Sequence, residues 1–139
     1  MNDMFDMRLS GNFSRERLLP VLGKVYDIPI DDINLQFADH FDMSCPVRRL
    51  FCYVVESDND PFPVLLTLCY SDIESDYDST AIACKLSHAL GCSGLISGDR
   101  PDDDTYFLIN GFEPPTLVIV YEEFNEVLQR TDYILQNYD

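Results

Sequence analysis

Positive charge is what this sequence has least of: nine Lys and Arg stand against 25 Asp and Glu, for a formal net charge of −16. A field of that sign repels phosphate, so nucleic acid is not expected as a direct ligand. It favours solubility and fast, salt-sensitive association with cationic surfaces. Long apolar runs are also missing. The longest falls far short of the ~20 residues a membrane-spanning helix needs, and Met1 to Asp6 carries acids where a secretory signal carries bases. A cytoplasmic protein without a membrane partner is expected.

Cysteine is present but unpatterned. The five, at 45, 52, 69, 84 and 92, are odd in number and contain no C-x-x-C pair, which excludes a disulfide framework and a zinc ribbon as readings. Cys52, Cys69 and Cys84 lie in apolar segments, where free thiols act as small core hydrophobes, and reduced thiols fit the same compartment. There is no G-x-G-x-x-G, no phosphate-binding loop and no nucleophile elbow. His40 and His88 are the only histidines, and His88 stands four residues after Cys84. That spacing suits a metal or a thiolate pair, but no third ligand accompanies it and Cys84 falls on an apolar stripe. It reads as a packed thiol beside a boundary histidine. No catalytic residue, metal or cofactor is therefore expected.

What is there is enough to fold. Hydrophobic residues make up 46% of the 139 positions and aromatics 12%, too rich for a disordered acidic chain. The length fits one domain covering 1–139, which would bury roughly 68% of the surface of its unfolded chain. Residues 4–10 alternate weakly as an opening strand. Ser14 suits an N-cap for a helix carrying Leu18, Leu19, Leu22, Val25 and Tyr26 at helical spacing, with Pro20 expected to distort its start or delay it to Leu18. Ile33 to Phe41 alternates as a half-buried strand. The runs 48–57 and 63–70, joined by the turn formers DNDPFP, read as an antiparallel hairpin central in the sheet and covered on both faces. Asp78 or Ser79 caps a second helix with Ala81, Ile82, Leu86, Ala89 and Leu90 as its stripe, ending at Gly91. Three short strands follow at 94–97, 104–110 and 116–121, the last two paired. A C-terminal helix is expected over 122–139, on Phe124, Val127, Leu128, Thr131 and Leu135. Hairpins mixed with helices indicate an α+β domain: an antiparallel or mixed sheet of about five to six strands with two to three helices on it.

The acids are grouped. No base lies between Arg49 and Lys85, while Glu56, Asp58, Asp60, Asp72, Glu74, Asp76 and Asp78 supply seven negative charges. In extended backbone, the alternation of Asp72, Glu74, Asp76 and Asp78 places four carboxylates on one side, beside Tyr77. Such a row repels itself unless a cation neutralises it, so it reads as a docking site for Lys and Arg, as a metal site, or as a solvated loop. An EF-hand starting at Asp72 needs Gly at its sixth position and Glu at its twelfth; Tyr77 and Ala83 stand there, and the match fails. A second group, Asp99, Asp102, Asp103 and Asp104, surrounds Arg100 in a Pro- and Gly-bearing turn, with Tyr106 close behind. Turn chemistry accounts for one or two of these acids, not four. Glu122, Glu123 and Glu126 suit the first turn of the expected last helix.

The opening RLSGNFSRERLLPVLGKVYDIP, together with ACKLSHALGCSGLISGD running into DTYFLING and TLVIVYEE, resembles the small acidic immunity proteins of bacterial toxin systems, including those of contact-dependent growth inhibition. The resemblance implies a cytoplasmic monomer or homodimer that binds a cognate basic toxin domain, often a nuclease, and obstructs its active site. Charge, not the resemblance, selects Asp72, Glu74, Asp76, Tyr77, Asp78, Asp99, Asp102, Asp103, Asp104 and Tyr106 as partner-binding residues, with Tyr70 as a further aromatic anchor. Two other classes stay open: a DNA mimic that inhibits a nucleic-acid enzyme, and a small enzyme using an Asp or Glu pair as acid and base.

Overall fold

The computed structural model describes residues 3–40, 49–57, 61–71, 78–97 and 105–137. Its elements are β1 (Asp3–Leu9), α1 (Arg15–Tyr26), β2 (Ile33–Phe37), β3 (Leu50–Glu56), β4 (Val64–Tyr70), α2 (Ser79–Leu90), β5 (Ser93–Ser97), β6 (Thr105–Asn110), β7 (Thr116–Asn125) and β8 (Arg130–Asn137), with short 3-10 turns at Ile30–Asp32 and Ala38–His40. All eight strands belong to one sheet, ordered β2-β3-β4-β1-β5-β6-β7-β8. Only β2 and β3 run parallel; every other neighbouring pair is antiparallel. The class is α+β as expected, but the sheet has eight strands rather than five or six.

Both helices begin where local chemistry starts them. Ser14 accepts from the backbone N–H of Arg17, and Asp78 accepts from that of Thr80, each satisfying a donor that the helix itself leaves open. The first helix ends at Asp27, in the left-handed region with φ 55°, and the second at Gly91 with φ 66°. Pro20 neither delays nor breaks α1, contrary to expectation. It lies on the exposed side, where water can satisfy the carbonyl of Glu16 that its missing N–H leaves unpaired.

The main core lies between the helices and one sheet face. Leu18, Leu22, Val25 and Tyr26 from α1, and Ile82, Ala83, Leu86 and Leu90 from α2, pack with Met7, Leu9, Leu35, Leu50, Cys52, Val54, Leu66, Leu68 and Ile109. The β3–β4 hairpin is present as read, with Leu50 opposite Tyr70, and sits inside the sheet. Its residues alternate between buried and half-buried, so only one face is fully covered, a correction to the two-sided reading.

The other face carries a smaller core of its own. Phe62, Leu95, Val118, Val120 and Tyr133 are buried there, with Tyr106, Leu108 and Leu135 packed against them. Among the described residues no helix supplies that cover; curvature does. β1 and β8 are four strands apart, roughly 19 Å in a flat sheet, yet the Arg8 guanidinium lies 4.9 Å from the centre of the Tyr133 ring. The sheet must therefore curl until β8 faces β1 across its concave side.

The expected C-terminal helix is a β-hairpin. β7 continues through Asn125, turns at residues 126–129 and returns as β8, with Tyr121 opposite Ile134 and Phe124 opposite Thr131. Asn125 builds the turn: its side-chain oxygen accepts from the N–H groups of Val127 and Leu128, both at 3.1 Å, and Gln129 adopts φ 53°. The apolar positions read as a helical stripe instead split between strand faces and an exposed tip, so Glu122, Glu123 and Glu126 cap no helix.

Candidate partner-binding surface

Of the residues selected for partner binding, Asp72, Glu74, Asp76, Tyr77, Asp99, Asp102, Asp103 and Asp104 lie outside the described residues. Their flanks are described, and the register places those flanks at one end of the sheet. Tyr70, where the chain leaves β4, pairs with Asp3 at the start of β1, and Ser97 pairs with Tyr106 near the start of β6. Met4, Phe5, Asp6, Ser79, Ile96 and Ser97 line a single depression of about 340 Å³ there. Both acidic segments are thus anchored at the same end, which the sequence alone did not show.

Asp78 is exposed and carries a local role as the cap of α2. Tyr106 is half-buried against the smaller core and pairs with Val118, which leaves only part of its ring for a partner. Tyr70 does not serve as an anchor. It is 2% exposed, stacks on Tyr26 with ring centres 5.3 Å apart, and its hydroxyl accepts from Arg49 at 3.0 Å.

Most charges of both signs among the described residues are exposed, Arg15, Arg17 and Arg49 included, but the two signs are held differently. Of the 13 acids whose burial is described, 11 are exposed, and only Asp32 and Asp132 are partly covered. The arginines are held against the framework. Arg15 donates to the Leu35 carbonyl at 2.7 Å, Arg17 to the Ala89 carbonyl at 3.1 Å, Arg49 to Asp32 and Tyr70, and Arg130 pairs with Asp132 at 2.8 Å. Arg8 lies over Tyr133, whose hydroxyl burial pushes above its ordinary pKa against the pull of the guanidinium. Anchored cations and outward carboxylates give the negative field its reach into solvent.

The thiols follow the packing reading in the main. Burial pushes the Cys52 thiol up to about 12; Cys84 is raised by burial and by the Asp78 carboxylate; Cys92 is raised by burial, against hydrogen bonds from Ser10. Raised values keep these groups as neutral thiols near pH 7, in which form they are poor nucleophiles. Cys69 is half-buried on the sheet face away from the helices, and Cys45 lies outside the described residues. His88 is exposed and packs on Phe112 with ring centres 4.6 Å apart. Among the described residues no group of three His, Cys, Asp or Glu is placed to hold a metal ion, and no helix is long and apolar enough to cross a membrane.

Sequence reasoning missed one surface. Tyr121, Phe124, Val127, Leu128 and Ile134 are exposed, Val127 to 90%. The sequence pattern places Phe124, Val127 and Leu128 on the stripe of a C-terminal helix and Tyr121 at the end of a strand, and gives Ile134 no role. The available signals were Asn125 as a turn former and the strand-favouring Thr131, Tyr133 and Ile134 behind it.

Comparison with known proteins adds no relative: no protein-family model, no curated protein and no solved structure matches this chain.

Proposed function

We propose that this chain acts by binding, as an acidic cytoplasmic immunity-type protein that captures a basic toxin domain and covers its active site. The observation that supports it best is the division of charge: 11 of 13 described acids face solvent, while five arginines are tied to backbone, aromatic or carboxylate groups of the fold. Such a surface steers a cationic partner by long-range attraction, and affinity then comes from the few groups it desolvates. Asp72, Glu74, Asp76 and Asp78, with Asp99, Asp102, Asp103 and Asp104, are the proposed steering rows. Their flanks share one end of the sheet.

The test is capture by the tagged full chain from lysate at low and moderate salt, followed by association kinetics on what is recovered. A basic protein whose association slows with salt, and slows at low salt when Asp72, Glu74, Asp76 and Asp78 are changed to Asn or Gln, is the expected result. Association with a basic protein that is indifferent both to salt and to those changes overturns the steering mechanism. Recovery of a nucleic-acid enzyme displaced by DNA favours the DNA mimic, and turnover of a small molecule without any partner favours the enzyme.

A further inference from the structure

We infer that the outer edge of β8, with the exposed tip of the β7–β8 hairpin, is where the basic partner docks, by adding an extended Lys- or Arg-bearing segment to the sheet. The inference rests on the proposed basic partner and gives it a location.

Among the described residues the sheet ends in two edge strands, β2 and β8, and the fold treats them differently. β2 is five residues long, and its Leu35 carbonyl is closed by the Arg15 guanidinium, which also lies 5.8 Å from the Phe37 ring centre. β8 is eight residues long, roughly 26 Å of ladder, and its sequence RTDYILQN holds no Lys, Pro or Gly. Those are the residues that usually blunt an edge against pairing. Among the described residues β7 is its one strand neighbour.

Exposed apolar surface gathers at the same place. Tyr121 and Ile134 oppose each other across the ladder, and Phe124, Val127 and Leu128 crowd the tip. Among the described residues the hairpin also overhangs the sheet: Ile119 pairs with Thr105, the first residue of β6, and Val120–Asn125 run on for six residues paired with β8 alone. That overhang, roughly 20 Å, extends past the end of the sheet from which both acidic segments leave.

Charge selects the occupant. Within residues 116–137 there are four acids (Glu122, Glu123, Glu126, Asp132) and one base (Arg130), a net of −3, and Arg130 is paired to Asp132. A second copy of this chain would bring the same excess against it, and like charges facing across a ladder are unfavourable. A strand with apolar residues on the Tyr121–Ile134 face of the ladder and bases on the opposite face, beside Glu122, satisfies both surfaces. Main-chain hydrogen bonds supply affinity in this mode, and alternate side chains supply selectivity.

The test uses the full chain and two synthetic peptides of about eight residues, one alternating Lys with Val and one alternating Glu with Val, with binding measured by calorimetry and sites by amide hydrogen exchange. The Lys peptide is expected to bind, the Glu peptide not to, and the alternate amides of Asp132–Gln136 that point away from β7 to exchange at least tenfold more slowly when the Lys peptide is present. Ile134→Lys with Glu123→Lys, both at solvent-exposed sites, should weaken that binding at least tenfold while leaving thermal unfolding nearly unchanged. Failure of the Lys peptide to bind, or binding with unchanged β8 exchange, overturns the docking site. So does sedimentation as a dimer whose outward-pointing β8 amides are protected without peptide, since the occupant is then a second copy. If the lysate experiment recovers a basic partner that binds the hairpin variant as tightly as the native chain, the docking site fails and the basic-partner reading stands.

Discussion

Adding one methyl group at Gly94 tests the packing of β1 on β5. Gly94 is buried and stands opposite Leu9 on one side and Ile109 on the other. A Cβ built there falls well inside contact distance of Met7 Cε and 3.2 Å from the Arg8 carbonyl oxygen. Met7 is fully buried in the main core, so its methyl end has no empty space to enter. Overpacking a close-packed core costs about 1–3 kcal/mol, against which Ala recovers about 0.5–1 kcal/mol of backbone entropy relative to Gly. Gly94→Ala should therefore destabilise by about 1–2 kcal/mol. With an m-value of about 1.5 kcal/mol/M, equilibrium urea unfolding should show its midpoint lower by about 1 M at unchanged slope. Met7→Ala alone should cost about 2–5 kcal/mol as a cavity. In the double variant the new methyl enters the space that Met7 vacates, so the pair should be less destabilised than the sum by at least about 1 kcal/mol. A neutral Gly94→Ala, or additivity of the two changes within about 0.3 kcal/mol, would refute the contact.

Three further outcomes follow from the structure. Ser87, 1% exposed, accepts from the Gly111 N–H at 2.8 Å and donates to the Cys92 carbonyl, joining the end of α2 to β5 and the β6–β7 turn. Ser87→Ala leaves a buried donor and acceptor unpaired and should lower stability by about 2–4 kcal/mol, read by urea unfolding, with faster exchange at Gly111. The Cys52 thiol is raised by burial from an unfolded value near 9 to about 12, so the folded state holds its proton more tightly. Its contribution is complete below pH 9 and is lost as pH rises from 9 toward 12, at up to about 1.4 kcal/mol per pH unit; Cys52→Val should flatten the alkaline fall in stability by that slope. Gln129, at φ 53° in the hairpin turn, should tolerate Gly with no loss or a gain of up to about 1 kcal/mol in thermal unfolding, whereas in a helix Gly would cost about 1 kcal/mol.

Local chemistry was legible wherever a single residue closes a local hydrogen-bond pattern. Ser14, Asp78 and Gly91 mark helix ends because capping is decided within one turn of chain, and DNDPFP marks a hairpin because its residues favour turns. The class of fold and the negative charge were likewise set by composition and order. The last segment was misread because Phe124, Val127, Leu128, Thr131 and Leu135 satisfy helical spacing, and periodicity cannot register that β6 offers an open edge for β7 to pair with. The strand order, the curl that brings Arg8 over Tyr133, and the common end shared by two distant acidic segments were decided only by the tertiary structure. Each depends on pairings between strands far apart in the chain, whose registers are chosen by burial of a shared face and leave no mark in any local pattern.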